Sequence, residues 1–568
     1  MNLIHTLTIV CFLSILSIGY AQNCNCDHII SGLSTTSVNL IQAQNYTYNP
    51  GDIFCVMADT VAGLRFIGFE GTADSALIIV NCGGEVVIKE NMYSGISLNE
   101  SKYIQLSGSG DSGVIYGFHV IETGTGGLGV GLTDFSTDIE VHHIQIENTG
   151  FAGIMAKTNP NCSDTMTWRI NGYIFKNLHI HHNYIHDTEG EGMYIGHTGG
   201  YKVVSNVICN GQYVFGHWFE GVDIHDNILE NTGWDGIQVT LARLDAKIHH
   251  NTITNWGTAN ATWQNFMMSI GGGVYDVYNN FGTNPEGSEG NGIQLISGQS
   301  GTVFYNNVII NPFEHGIFMH ARHEFDDTTS GYYFLNNTII SPEKSGVFYN
   351  PRMLYSEDSS LINKDQDDVP FIAMNNLIAN PGSDYGSQPI WKDEAECYFD
   401  FNAKSTRDSQ LVNIHHNLTT RNLDTVGITD SLNDDYSPSG VNSALYNTGF
   451  DLSVYNINFD LNDVARPQDV FFDIGAYEFE SPISTHIRKA ELQVIVYPNP
   501  FADYIVITDN GEIGYVELLD LSGRSVYKSN TGNPRVHDLS HLDAGIYILN
   551  VYDKDSRLFN TLKILRMQ

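Results

Sequence analysis

The stretch IHHNYI, residues 180–185, decides the reading of the fold because it recurs along the chain. IHDNIL begins at 224, IHHNTI at 248, VYDVYNNF at 274, FYNNVII at 304, FLNNTII at 334 and AMNNLIA at 373. The shared frame is an apolar residue, two variable ones, an Asn, and a second apolar residue two places on. Its Asn column is Asn183, Asn227, Asn251, Asn280, Asn307, Asn337 and Asn376, with steps of 44, 24, 29, 27, 30 and 39 residues. The shortest steps match one coil of a solenoid, and the longer ones imply inserted loops. Short period-two strands, Gly-rich turns and Asn side chains stacked along an axis predict a parallel β-helix of roughly a dozen coils. The general crossover rule makes it right-handed.

The second half of each coil follows its own frame, a residue, then Gly, then an apolar strand. Ala152-Gly153, Glu191-Gly192, Asp235-Gly236, Asn291-Gly292, His315-Gly316 and Ser345-Gly346 all fit it. The Gly permits a tight turn, and the residue before it projects from one corner of successive coils. Glu191 and Asp235 therefore present carboxyl groups at matching positions. On adjacent coils they would lie about 4.8 Å apart, close enough that both cannot ionise freely. That spacing suits a retaining glycosidase. YKVVSNVICNG, from 201, also imitates the Asn frame at Asn206, and an extra coil there would separate the pair to roughly 10 Å. The same two residues could instead bind turn amides or a calcium ion. Two insertions follow Ala152 and Glu191, each with one cysteine, and a Cys162–Cys209 disulfide would pin them together as a cleft wall.

ARPQDVFFDIGAYEFES, residues 465–481, resembles the end of many secreted bacterial β-helix proteins, where the Asp-Ile-Gly-Ala-Tyr-Glu run closes the last coil. Together with the Asn column, it makes the central part of the chain similar to the pectate-lyase-like superfamily. The resemblance implies an architecture and transfers no catalytic residue.

The two ends have other roles. LTIVCFLSILSIGY followed by small residues reads as an export signal over residues 1–22, too short to span a bilayer. Towards the C-terminus, Tyr497-Pro498-Asn499-Pro500-Phe501, Gly523 and Gly545-Ile546-Tyr547 punctuate alternating strands. This order resembles the sorting domain of the type IX secretion system of Bacteroidetes, which implies export through the periplasm to the cell surface or medium. The expected layout is a signal over 1–22, an N-terminal cap over 23–75, the β-helix over 76–430 and a C-terminal coil and cap over 431–482. A linker over 483–491 and a small sorting β-sandwich over 492–568 complete it.

A formal charge of −37 on 568 residues argues against nucleic acid as partner. It also makes any gathering of cations informative. EHGIFMHARHEF, 314–325, brings together His315, His320, Arg322 and His323, and Arg352 stands six residues past its frame Gly as Arg322 does. Paired guanidinium groups would grip a carboxylate or sulfate. Elimination from a uronic acid needs such a group, with His315 or His320 to move the proton. Salt bridges to Glu314, Glu324 and Asp326 are the structural alternative. Tyr194, Trp218, Trp234, Trp256, Trp263 and Phe318 suggest a sugar-binding face over the same coils, with Arg243 beside them. The His-His pairs beginning at 142, 181, 249 and 415 read as outward coil residues rather than metal ligands. Seven cysteines lie outside the signal, an odd number, and none has zinc-site spacing.

These features predict a secreted enzyme acting on an acidic polysaccharide or its oligosaccharides by β-elimination. Glycoside hydrolysis by Glu191 and Asp235 is the first alternative, and a non-catalytic surface adhesin the second. Calcium is the one cofactor under consideration.

Overall fold

The computed structural model describes residues 24–91, 93–197, 208–285, 288–296, 301–320, 331–350, 370–382, 391–392, 398–401, 412–480, 495–497, 501–508, 513–520, 524–530, 535–553 and 558–566. Three sheets run the length of a parallel β-helix, with 13, 12 and 13 strands. Each coil passes through the first sheet, then the second, then the third, and the last strand of the third, Trp391–Lys392, pairs antiparallel. Register holds through the centre of the first sheet, where Ile180, Ile224, Ile248, Val277, Phe304, Phe334 and Ala373 stand above one another. Their side chains alternate with outward ones, so the solenoid interior is one continuous apolar core.

The turn from the first to the second sheet shows why the Asn frame exists. The residue before each Asn adopts left-handed geometry, with φ of 55° at His182, 53° at Asp226 and 52° at Asn279, a conformation that favours Asn, Asp and His. The Asn that follows is buried. Asn251 Nδ2 donates to Asn280 Oδ1 at 3.0 Å and to the Ile224 carbonyl at 2.9 Å, while its own oxygen accepts from Asn227 Nδ2 at 3.0 Å. The ladder continues one step beyond the predicted column, to Asn417.

The solenoid starts earlier than the sequence predicts. Strands His28–Ile30, Asn39–Gln42, Ile53–Met57, Thr60–Val61 and Leu64–Ile67 already belong to the three sheets, so residues expected to cap the helix form its first coils. These coils lack the Asn turn. Disulfides Cys24–Cys82 and Cys26–Cys55 tie them together instead.

The segment after the last coil also differs from expectation. The run Asp473 to Glu478 does not close the end of the helix; it lies along the flank of the second sheet. Ile474, Ala476 and Tyr477 pack there with Val308, Ile310, Ile340 and Leu377. The outward residues of these later coils are apolar and need a cover. Asn336 and Asn375, in the left-handed column, donate to the Asp473 and Phe450 carbonyls at 2.8 Å. Inside the segment, Arg466 bonds Glu478 at 2.8 Å with both side chains almost fully buried.

Towards the C-terminus, antiparallel sheets of three and four strands enclose a separate core of Phe501, Ile505, Ile507, Val516, Leu518, Leu549, Val551 and Ile564. This is the small β-sandwich. No helix among the described residues is long and apolar enough to cross a membrane.

Candidate active site

The third sheet settles the relation of Glu191 to Asp235. Strands Met193–Ile195 and Ile237–Thr240 pair directly, Met193 opposite Ile237, and Gly192 N–H donates to the Asp235 carbonyl at 2.9 Å. No extra coil intervenes, so the two residues stand on neighbouring strands about 4.8 Å apart. Gly192 is required by close approach, since a Cβ there would meet the Gly236 oxygen at 2.6 Å. Continued register places Phe266, Asn291, His315 and Ser345 in the same column. Phe266 escapes the sequence frame because Met267 stands where the other coils have Gly.

Inward residues of this sheet join the core, and the intervening ones form a polar row on its outer face. The row is buried nonetheless: Glu191 and Asp235 are each 1% exposed, Gln238 3% and Gln294 1%. Burial pushes the Glu191 carboxyl up to about 7, against a small opposing pull from the Lys157 ammonium. Burial also holds Asp235 well above the carboxylate range; the Phe266 N–H and Ser269 oppose this, and the Glu191 charge adds to it. Both buried acids are thus biased towards their protonated forms. Glu191 Oε2 and Gln238 Nε2 have no hydrogen-bond partner among the described residues.

A hydrogen-bond chain links this pair to His320. Asp235 is bonded to Ser269, Ser269 Oγ donates to Gln294 Oε1 at 3.2 Å, and the Gln294 amide donates to His320 Nε2 at 2.9 Å. His320 is 4% exposed, its ring stacked on Phe318 at 4.0 Å. His315 faces the same cluster, with Nδ1 2.6 Å from Ser345 Oγ and its ring on Phe348 at 4.6 Å. Burial holds it well below the usual imidazole range, hence neutral.

Calcium does not fit the carboxyl pair. Asp235 Oδ1 is occupied by the Phe266 N–H at 2.8 Å, and the Lys157 ammonium lies near Glu191. Calcium takes about six to eight oxygen ligands, ionised carboxylates among them, whereas burial biases both of these acids towards protonation.

Lys157 also lines a cleft of about 370 Å³ together with Asp134, Phe135, Met155, Asn161 and Asp164. Its ammonium sits 3.9 Å from the centre of the Tyr194 ring, and Phe151 contacts both Tyr194 and Trp234 edge-on. The insertion after Lys157 is joined to the following one by a Cys162–Cys209 disulfide. Lys157 stands outside both sequence frames, which hid it; its rarity as a cation was the available signal.

The other aromatic residues disperse. Trp218 lies on the first sheet under Arg169, 3.9 Å away, and Arg243 beside it is committed to Glu220 at 2.5 Å. Trp256 is a core residue, 1% exposed, bonded to the Asn291 carbonyl, whereas Trp263 is 61% exposed. Phe318 packs with Phe266 and Phe348. Arg322, His323 and Arg352, expected to form the anion subsite, lie outside the described residues. The strands leading towards the two arginines, Ile317–His320 and Val347–Asn350, pair on neighbouring coils.

The raised acid carries a stability consequence. A carboxyl whose folded value lies near 7 rather than its ordinary 4.5 favours the folded state while protonated. That contribution is complete below about 4.5 and is lost as pH rises to about 7, a difference of up to about 3 kcal/mol. Glu191→Gln is therefore expected to unfold at higher temperature than the parent at pH above 7, with the gap closing in acid. A gap that is constant with pH would show that Glu191 ionises normally.

Comparison with known proteins adds the destination of the chain. Residues 495–564 match the Secretion system C-terminal sorting domain. The chain is exported. The sorting domain places it at the cell surface or in the medium, and the described strands between His28 and Thr420 build a parallel β-helix. A 96-residue stretch is 29% identical to Ulvan lyase NLR42 of Nonlabens ulvanivorans, covering 16% of this chain and 18% of that protein. Pectate lyase Pel9A superposes with a TM-score of 0.36 at 13% identity over 79% of this chain and 98% of its own. The PL6 family polysaccharide lyase Pedsa3628 from Pseudopedobacter saltans does so at 0.34 and 11%, over 67% of this chain and 92% of its own.

Proposed function

We propose that this exported protein cleaves an acidic, uronate-rich or sulfated polysaccharide or its oligosaccharides by β-elimination, with the Glu191–Asp235 pair at the centre of the site. The observation that carries the reading is a pair of buried acids on adjacent strands, both raised by burial, with Glu191 at about 7 and its Oε2 unpartnered among the described residues. A uronate loses its C5 proton once its own carboxylate is neutralised. The Asp235 proton, the Gln238 amide and the Lys157 ammonium supply donors for that carboxylate, and Glu191 takes the C5 proton. The C5–H electron pair becomes the C4–C5 double bond, the C4–O bond breaks, and the departing oxygen takes a proton from solvent water. Arg322 and Arg352, each two residues beyond a paired strand end, are retained as the anion-binding pair, with His315, His320 and His323 nearby in sequence. Export by the sorting domain suits an extracellular polymer, and the short likeness to an ulvan lyase agrees with the reaction class.

The strand spacing favours one further reading, retaining hydrolysis with Asp235 as acid and Glu191 as nucleophile, since such carboxyl groups stand about 5–5.5 Å apart. Digestion of a panel of acidic polysaccharides and oligosaccharides separates the two. Elimination is expected to yield products with the ultraviolet absorbance of an unsaturated uronate and no added water by mass. New reducing ends without that absorbance would replace elimination by hydrolysis. Binding with no product from any substrate would make the protein an adhesin.

A further inference from the structure

Away from the carboxyl pair, the outer face of the first sheet carries a stack of imidazoles. His142, His181, His225 and His249 lie ring over ring with centroids 4.8–4.9 Å apart. Each is followed by a residue in left-handed geometry that opens the turn. In the later coils this second column holds Asn279, Asn306, Asn336 and Asn375, at φ of 52–58°. The turn needs only a residue that tolerates such a φ. The earlier coils nevertheless place His182 and Asp226 there, beside His225.

His182, His225 and Asp226 bring one ligand atom each to within 4.8 Å of one another, with His182 and Asp226 exposed to solvent. The surrounding bonds hold these rings in place. His181 bonds Glu140 at 2.9 Å and His182 at 2.8 Å, and His225 Nδ1 lies 2.7 Å from Asp226 Oδ2. Such outer hydrogen bonds orient metal-binding imidazoles and raise their basicity.

We propose that His182, His225 and Asp226 form a surface site for one Zn²⁺ ion. Two imidazoles and a carboxylate are a ligand set that zinc accepts, with water completing the tetrahedron. An ion seated between His225 Nδ1 and Asp226 Oδ2 takes the place of the hydrogen in that bond, which moves to the ring's Nε2. The site clasps two consecutive coils at the turn, so its ion stabilises the middle of the solenoid and takes no part in cleavage.

Calorimetric titration of the chelator-stripped full-length protein with Zn²⁺ alone near neutral pH tests this. One saturable equivalent per chain is expected, accompanied by a rise in unfolding temperature. The double variant His182→Asn with Asp226→Asn is expected to bind at least about tenfold more weakly. Both replacements are residues the same column carries elsewhere, so the fold tolerates them, and unfolding without zinc should be unchanged. The remote double variant His415→Asn with His416→Asn should bind as the parent does. Absence of saturable binding overturns the site, as does weak binding of several equivalents that both double variants diminish alike.

Discussion

Asp235→Asn and Glu191→Gln each lower turnover at least about a hundredfold, the scale of losing a positioned acid or base. Asn at 235 keeps the shape and can still accept the Phe266 N–H, but it has no acidic proton with which to neutralise a substrate carboxylate. Gln at 191 cannot take a proton from carbon. In the parent, the rising limb of the pH–rate profile should reflect the Glu191 carboxyl at about 7, and in Glu191→Gln that limb should vanish along with most of the rate. Rates and pH profiles on the polysaccharide identified by the panel, with thermal unfolding run in parallel, make the comparison. Activity within a few-fold of the parent in both variants, with the fold intact, would reduce the pair to a structural feature of the corner.

Arg466→Ala lowers stability by about 3–5 kcal/mol, because it removes one partner of a buried ion pair and leaves the other uncompensated. Arg466 Nη1 bonds Glu478 at 2.8 Å and the Asp473 carbonyl at 3.1 Å, while Nη2 bonds the Gly475 carbonyl at 2.8 Å. Asp460 and Asp473 lie buried close by, so without the guanidinium the segment holds several carboxyl groups and no cation. The loss should appear first in the flanking segment, whose release uncovers Val308, Ile310 and Ile340. Limited proteolysis and hydrogen exchange of residues 426–479 should therefore change before the solenoid unfolds. Lys at 466 should restore only part, since an ammonium cannot make the forked contacts. Unchanged unfolding and protease resistance in Arg466→Ala would show that the apolar packing alone holds the flank.

Much of this architecture was legible because its determinants are local. A left-handed turn followed by a stacking Asn imposes the same short frame on every coil that uses it, and the frame survives insertions of any length between its copies. The first coils were missed for the complementary reason: they turn without that Asn and are tied by disulfides. The flank was misplaced because the Asp473–Glu478 run states its own turns and not the surface they cover. That surface is the outward apolar side of strands more than a hundred residues earlier.

The candidate site divides in the same way. The chain itself determined that Glu191 and Asp235 occupy equivalent corners, because a residue followed by Gly and an apolar strand is a local pattern. It could not determine whether those corners are neighbours, since an insertion containing Asn206 is compatible with a loop or with a coil. The pairing of Met193 with Ile237 decided it. Only the tertiary structure placed Lys157 beside Glu191, inserted Phe266 into the column and joined Asp235 to His320 through Ser269 and Gln294. Each of these relations crosses from one coil to another, where contact is set by hydrogen bonding between strands far apart in the chain, and burial, which sets the protonation of both acids, exists only once the coils are stacked.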